Sequence, residues 1–187
     1  MQLFGVAAQI LMRCIEVSPH NAEWMPETYM NLGVALRNEA HETEALACYR
    51  RCIELKPNDS TAWGNMSGVF VNYGEPEKCI EYADKALFLD PANKQAKHHR
   101  ALALLEMEKY EAGFKQYEAR LDLPEFHRRN YDGSMWDGKK VGTLVVHGEQ
   151  GLGDEVMFCS LISRVKERAD RVVIECNFKL IPLLERS

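Results

Sequence analysis

Large and small apolar positions repeat along the chain in one pattern that occurs twice, 34 residues apart. The pattern has eight positions. The first two are large, the third is small, the fourth is large and the fifth is small; the sixth is bulky in one copy and small in the other, the seventh is small and the eighth is proline. Small residues let two helices approach closely, large residues fill the gaps between helix pairs, and proline ends the second helix. The pattern therefore predicts consecutive helical hairpins. Its positions are Tyr29, Leu32, Gly33, Leu36, Ala45, Tyr49, Cys52 and Pro57 in the first copy and Trp63, Met66, Ser67, Phe70, Cys79, Ala83, Ala86 and Pro91 in the second.

These residues resemble the tetratricopeptide repeat (TPR), whose helix-turn-helix units stack into a solenoid. A third unit is degenerate, because Lys97 and Arg100 replace large apolar residues. Polar substitution of this kind is typical of the end of a solenoid. The array is predicted over residues 1–125, as a half unit at 2–19, full units at 26–59 and 60–93, and a degenerate unit at 94–125. Its predicted helices are 2–17, 26–39, 42–55, 61–73, 76–89, 94–107 and 110–121.

The pattern changes after a predicted linker at 126–140. Two β-branched runs suit buried parallel strands, and helical stretches follow each of them. The order β-α-β-α is the opening of a doubly wound parallel sheet, and a stable sheet usually needs three or more strands. The predicted fold is thus mainly α, a TPR solenoid followed by a truncated, Rossmann-like α/β segment at 141–187. Its predicted elements are strands 141–147 and 171–176 and helices 155–168 and 180–186.

The net charge of −5 argues against a general nucleic-acid binder, which is normally basic. Residues 1–125 carry 13 basic and 19 acidic side chains and residues 126–187 carry 10 and 9, a difference that indicates two units. No apolar run approaches the ~20 residues that span a bilayer. Without a signal-peptide pattern, we expect a cytoplasmic protein with no membrane span.

The six cysteines form no CxxC pair, and three of them occupy small, buried positions of the repeat. A free cysteine behaves there as a small hydrophobic residue. Cys48 and Cys52 are spaced to share a metal ion, but no histidine or second cysteine pair completes a site. We expect reduced structural thiols, as in cytosolic proteins, and no metal.

A glycine-rich loop carrying Gly148, Gly151 and Gly153 connects the first predicted strand to its helix. Glycines let the backbone turn tightly and approach a ligand, and a helix N-terminus offers unpaired N–H groups to an anion. The spacing matches neither the G-x-G-x-x-G dinucleotide fingerprint nor a P-loop. Spacing alone therefore does not identify a ligand.

Three segments, Trp136–Gly138, Leu144–Phe158 and Val172–Cys176, resemble a bacterial arrangement in which TPR units precede a glycosyltransferase-like domain related to the heptosyltransferases. The resemblance covers about 50 residues, 136–187. It implies a GT-B-type fold of two Rossmann-like halves. The acceptor would lie against the N-terminal half and the nucleotide-sugar mainly on the C-terminal half.

The resemblance also implies residue roles. Asp154 aligns with the family aspartate proposed to deprotonate the acceptor hydroxyl, although aspartate is equally suited to be a helix N-cap, which stabilises by ~1 kcal/mol. Glu149 would help to position substrate. Because residues 141–187 match only part of one half, we expect no sugar transfer by this chain alone and no cofactor. A nucleotide-sugar donor is implied only for a full-length protein. The substrate-binding loop would consist of Gly148, Gln150, Gly151 and Gly153.

TPR units line a concave groove with the first helix of each pair. Asn31 and Asn65 occupy equivalent groove positions, with His99 in the third unit and Arg37 as a nearby cation. Stacked amides both donate and accept hydrogen bonds, which suits an extended peptide backbone. The arrangement resembles the asparagine ladder of O-GlcNAc transferase, which also joins TPR units to a glycosyltransferase. The alternative is that asparagine serves packing or solubility here.

Three hypotheses follow. The first is a protein-interaction module that binds a peptide or partner helix in the TPR groove. The second is the N-terminal part of a TPR-containing glycosyltransferase that transfers sugar to a protein or other acceptor. The third is self-association through unpaired strands, because open sheet edges recruit other strands.

Overall fold

The computed structural model describes residues 2–17, 22–123, 133–148 and 151–186. The chain divides into two compact units, Met1–Pro124 and Glu125–Ser187. The first unit is helical, and the second combines two strands with short helices. Pro19 at the end of the predicted half unit and residues 126–132 of the predicted linker lie outside the described residues.

The helices of the first unit follow the predicted repeat. Six of them begin and end within one residue of the predicted bounds, whereas the last α-helix ends at Tyr117 and gives way to a 3-10 turn at Glu118–Asp122. The helices are α1 (Gln2–Val17), α2 (Met25–Asn38), α3 (Glu42–Leu55), α4 (Ser60–Asn72), α5 (Pro76–Leu89), α6 (Lys94–Glu106) and α7 (Tyr110–Tyr117).

Side-chain caps start the first helices of the second and third units. Asp59 accepts hydrogen bonds from the backbone of Thr61 and Ala62 at 3.0 and 3.2 Å, and Asn93 accepts one from Ala96 at 2.9 Å. Such caps satisfy N–H groups that have no partner inside the helix. They fix where each new unit begins.

The turn inside each hairpin has the same backbone conformation. Ala40, Gly74 and Glu108 all adopt positive φ, at 63°, 64° and 59°. Their spacing is that of the 34-residue repeat, so the repeat extends to backbone geometry. Only the second copy has glycine, the residue that reaches this region without strain.

The core of the helical unit lies between the helices of each hairpin and between neighbouring units. Gly33 allows the ring of Tyr49 to contact the backbone of α2, since a Cβ atom there would lie 2.5 Å from Cε1 of Tyr49. One cluster of buried residues is formed by Ala8, Leu32, Ala35, Leu36, Ala45, Leu46, Cys48, Tyr49, Met66, Val69, Phe70, Cys79 and Ala103, and a second by Ala83, Ala86 and Ala96.

The second unit contains two parallel strands, paired from Val141 with Ala169 to His147 with Glu175. Two parallel strands joined by a helical crossover occur in many α/β folds, so this topology alone does not define a Rossmann-like or GT-B-type domain. The described elements are β1 (Val141–His147), α8 (Leu152–Cys159), α9 (Ile162–Lys166), β2 (Ala169–Glu175), a 3-10 turn at Phe178–Leu180 and α10 (Ile181–Leu184).

The prediction of one helix at 155–168 is wrong. The crossover starts earlier, at Leu152, and breaks between Cys159 and Ile162. At the break Ser160 Oγ donates to the carbonyl of Met157 at 2.7 Å, and the Leu161 N–H donates to Phe158 three residues back. A serine hydroxyl that competes for backbone carbonyls disfavours a continuous helix.

Candidate functional site

The first helices of the units, α2, α4 and α6, contact one another through polar and small residues. Asn65 of α4 donates from Nδ2 to Sδ of Met30 on α2 at 3.1 Å. Nδ2 of Asn93 at the start of α6 donates to Oγ of Ser60 on α4 at 2.8 Å. We call the surface that carries Met30, Asn31, Val34, Arg37, Gly64, Gly68 and His99 the first-helix face.

The structure corrects the prediction of a ladder of open amides on this face. Asn31 is exposed, but Asn65 is only 4% exposed because its amide is packed against Met30. His99 also turns towards its neighbours. Among the predicted pair, therefore, only Asn31 presents its amide to solvent.

His99 joins α6 to α4 by a compact hydrogen-bond cluster. Its Nδ1 lies 3.0 Å from Oγ of Ser67 and 3.1 Å from the carbonyl oxygen of Gly64, and Ser67 Oγ donates to the same carbonyl at 2.7 Å. Burial lowers the pKa of His99 to about 4, and the neighbouring Arg37 and His98 act in the same direction. The ring is therefore neutral at pH 7 and serves packing between units.

Arg37 extends from α2 across the backbone of α4. A Cβ atom at Gly68 would lie 2.8 Å from Nη1 of Arg37 and 2.6 Å from Cε1 of His99, so only glycine leaves room for both side chains. Within the described residues no carboxylate forms an ion pair with Arg37. Its guanidinium is a half-buried cation on the first-helix face.

The charge of Arg37 also affects the buried hydroxyl of Tyr49. Burial raises the pKa of Tyr49 to about 12, while the charge of Arg37 opposes that rise. Tyr49 is 0% exposed, and its Oη has no hydrogen-bond partner among the described residues. Arg37 therefore influences the pKa of a side chain inside the hairpin, besides placing a positive charge on the first-helix face.

The buried thiols behave as core residues. Burial raises the pKa of Cys48 and Cys52 to about 11 and that of Cys79 to about 12. Thiolate, the form that binds metal and reacts, is therefore scarce at neutral pH. Across the described residues no group of three or more histidine, cysteine or acidic side chains is arranged to hold a metal ion.

The glycine-rich loop lies where β1 and β2 both end. The N–H of Gly148 donates to the carbonyl of Glu175 at 3.0 Å, which keeps the loop at the carboxyl edge of the sheet. In open α/β sheets this edge is where ligands bind. Of the predicted loop residues, Glu149 and Gln150 lie outside the described residues.

The N-cap alternative for Asp154 is wrong. Gly151 is the N-cap of α8, and Asp154 lies in its first turn, half-buried. A carboxylate in that turn is favoured by the helix dipole whatever its role. Gly153 is surrounded by open space, since no atom lies within 4 Å of a Cβ built there.

Glu155 is a further acidic side chain at the strand ends, and the motif did not assign it a role. Its Oε2 accepts the backbone N–H of Asn177, which follows β2, at 2.8 Å. The same carboxylate lies close to Gly148, so a side chain at that position would have to displace it. Glu155 thus connects the loops after the two strands, and its place two residues after the last glycine of the loop was the available signal.

No helix among the described residues is both long enough and apolar enough to cross a bilayer.

A family model for the tetratricopeptide repeat matches residues 26–59, the hairpin of α2 and α3. In solved structures, the MamA protein superposes with a TM-score of 0.55 at 22% identity, covering 64% of this chain and 68% of that one. The helical unit is a TPR-like solenoid. At this identity the likeness concerns the fold alone.

Two curated relatives match over most of the chain. Protein FlbA of Caulobacter vibrioides is 26% identical over 84% of this chain and 34% of its own length. A peroxisomal targeting signal receptor of Kluyveromyces lactis is 22% identical over 74% of this chain and 24% of its own length. The chain therefore spans about a third or less of either relative. Because 84% of 187 residues exceeds the length of the helical unit, the likeness to FlbA extends into the α/β unit.

Proposed function

We propose that the helical unit is a protein-interaction module that binds an extended peptide or a partner helix on its first-helix face. The observation that carries the proposal is that α2 places an exposed amide and a half-buried cation on that face. Asn31 is exposed, and the guanidinium of Arg37 lies across Gly68, where no carboxylate of the described residues forms an ion pair with it. An amide that donates and accepts hydrogen bonds, together with a cation on the same helix, suits the carbonyl and carboxylate groups of a peptide.

The small residues of α4 support this proposal. Gly64 is buried beneath the side chain of Asn93, and Gly68 is buried beneath those of Arg37 and His99. Because glycine has no Cβ, α4 does not displace these three side chains. These polar groups are thus held at set positions, and a binding face that is ordered before the ligand arrives loses less entropy on binding. The relative from Kluyveromyces lactis, named as a receptor for a targeting signal, agrees with a recognition role.

The test is binding to an array of short peptides, followed by affinity measurement with the best one. We expect Asn31→Ala combined with Arg37→Gln to weaken binding about tenfold or more, because one hydrogen bond to a charged group contributes ~1.5–3 kcal/mol. Asn65→Ala is unsuitable, since Asn65 is buried against Met30.

The matched control is Asn58→Ala combined with Arg50→Gln, which removes an exposed amide and an exposed guanidinium elsewhere in the helical unit. The control is expected to bind like the wild type. Equal affinities of the two double variants, or an array that binds nothing above background, would contradict the proposal.

A second candidate function concerns the α/β unit, which we propose is part of a glycosyltransferase-like, GT-B-type domain. The observation favouring it is the position of Gly148 and Asp154 at the carboxyl edge of two parallel strands, on the loop and first turn that follow β1. Asp154 would then deprotonate an acceptor hydroxyl. The nucleotide-sugar would be held by a half outside these residues.

Calorimetric titration of the chain with nucleotide-sugars tests this division. We expect no heat of binding, because the donor belongs to the other half of such a fold. Measurable binding by the chain alone would contradict that placement. If binding were found, Asp154→Asn would have to leave it unchanged, since an acceptor base does not contact the donor.

A further inference from the structure

A groove of about 520 Å³ lies on another surface of the helical unit, between the start of α4 and the outer side of α5. It is mainly apolar at its floor and charged at its rim. The groove is separate from the first-helix face and shares none of its residues. It is lined by Pro57, Trp63, Glu81, Asp84, Lys85 and Phe88.

The floor of this groove is held in place by several contacts. Nε1 of Trp63 donates to the carbonyl of Pro57 at 2.9 Å, and its ring stacks on Tyr82 with centroids 5.9 Å apart. Nζ of Lys85 lies 4.7 Å from the centre of the Trp63 ring. The indole is therefore fixed before any partner arrives, and it presents a rigid aromatic wall.

Phe88 stands at the rim of the same groove with 88% of its surface exposed. A large apolar side chain at that exposure contributes nothing to the core of its own chain. Scattered apolar residues on a surface are ordinary, but this one projects beside an open apolar groove. One patch thus carries both a protruding aromatic ring and an open, mainly apolar groove.

We propose that this groove binds Phe88 of a second copy of the chain, so that two copies form a symmetric dimer. A two-fold interface uses one patch on both subunits and must be complementary to itself. Here each copy supplies one ring and one groove, and both contacts form at once.

The charges at the rim fit the same arrangement. Glu81 lies 3.6 Å from Lys85, and Asp84 lies 2.6 Å from Arg100. Both signs occur at the rim, two carboxylates and one ammonium group, so a second copy offers Lys85 acidic partners on the same patch. A partner whose surface carried charges of only one sign would meet a like charge along this rim.

The patch is small, and stable dimers bury about 800 Å² on each partner. The dimer is therefore expected to form only at high concentration. Sedimentation velocity of the full chain, from about 1 to about 500 µM, measures it directly. We expect the weight-average mass of the wild type to rise with concentration, and Phe88→Asp to remain monomeric throughout.

The matched control is Phe114→Asp, which adds the same charge at an exposed phenylalanine of α7 outside the groove. It is expected to associate like the wild type. Phe88→Gln is a second variant without a new charge and is expected to weaken association about tenfold or more. A wild type that stays monomeric, or a Phe88→Gln variant that associates like the wild type, overturns the proposal. So does a loss of association in Phe114→Asp equal to that in Phe88→Asp.

Discussion

The ring of Tyr49 lies against the backbone of Gly33, so the two helices of the first full hairpin touch where one of them has no side chain. Tyr49 is 0% exposed and cannot move into solvent without opening the hairpin. Because a Cβ at Gly33 would lie 2.5 Å from Cε1 of Tyr49, Gly33→Ala forces the helices apart. We expect a loss of about 1–3 kcal/mol in the free energy of unfolding, measured by urea denaturation.

Gly5→Ala is the matched change in α1. The nearest atom to a Cβ at that position is 4.0 Å away. Since alanine is the better helix former, this variant should be more stable by about 0.5–1 kcal/mol. A Gly33→Ala variant as stable as the wild type would mean that the close approach of the two helices is not needed.

Ala40→Gly should stabilise the chain. Ala40 has φ of 63°, a left-handed conformation that costs an L-residue about 1 kcal/mol or more and costs glycine little. The greater freedom of glycine in the unfolded chain offsets part of this relief. We therefore expect the free energy of unfolding to rise by about 0.5–1 kcal/mol, measured by chemical denaturation. The opposite result is expected for Ala47→Gly, an exposed position inside α3, which should lose up to about 1 kcal/mol.

The helix bounds followed from the sequence wherever a local signal marked them. Pro76 begins α5, and Asp59 caps α4, as their residue types indicate. The break at Ser160 has no such marker, because serine also occurs inside continuous helices. The orientation of Asn65 was not predictable either, since it depends on Met30, which is remote in the sequence and adjacent only after the hairpins stack.

The stability of the chain should depend on pH through His99. Its pKa is about 4 in the folded chain against 6.5 for the free side chain, because burial disfavours the charged ring. Below pH 6.5 the unfolded state binds a proton that the folded state excludes. The free energy of unfolding should therefore fall as the pH falls from about 6.5 towards 4, by up to about 3 kcal/mol.

Urea denaturation at several pH values between 7.5 and 4 measures this loss. His99→Gln should reduce the slope, although it also removes the contact with Ser67. If His99→Gln and the wild type lost stability in parallel, other groups would be responsible.

The most direct measurement of peptide binding on the first-helix face is backbone hydrogen exchange with and without the tightest array peptide. Bound peptide should slow exchange in α2, α4 and α6, with the largest effect near Asn31 and Arg37. The helices α3 and α5 should change less, because the first-helix face carries none of their residues. Protection confined to α3 and α5, or to the α/β unit, would contradict the account.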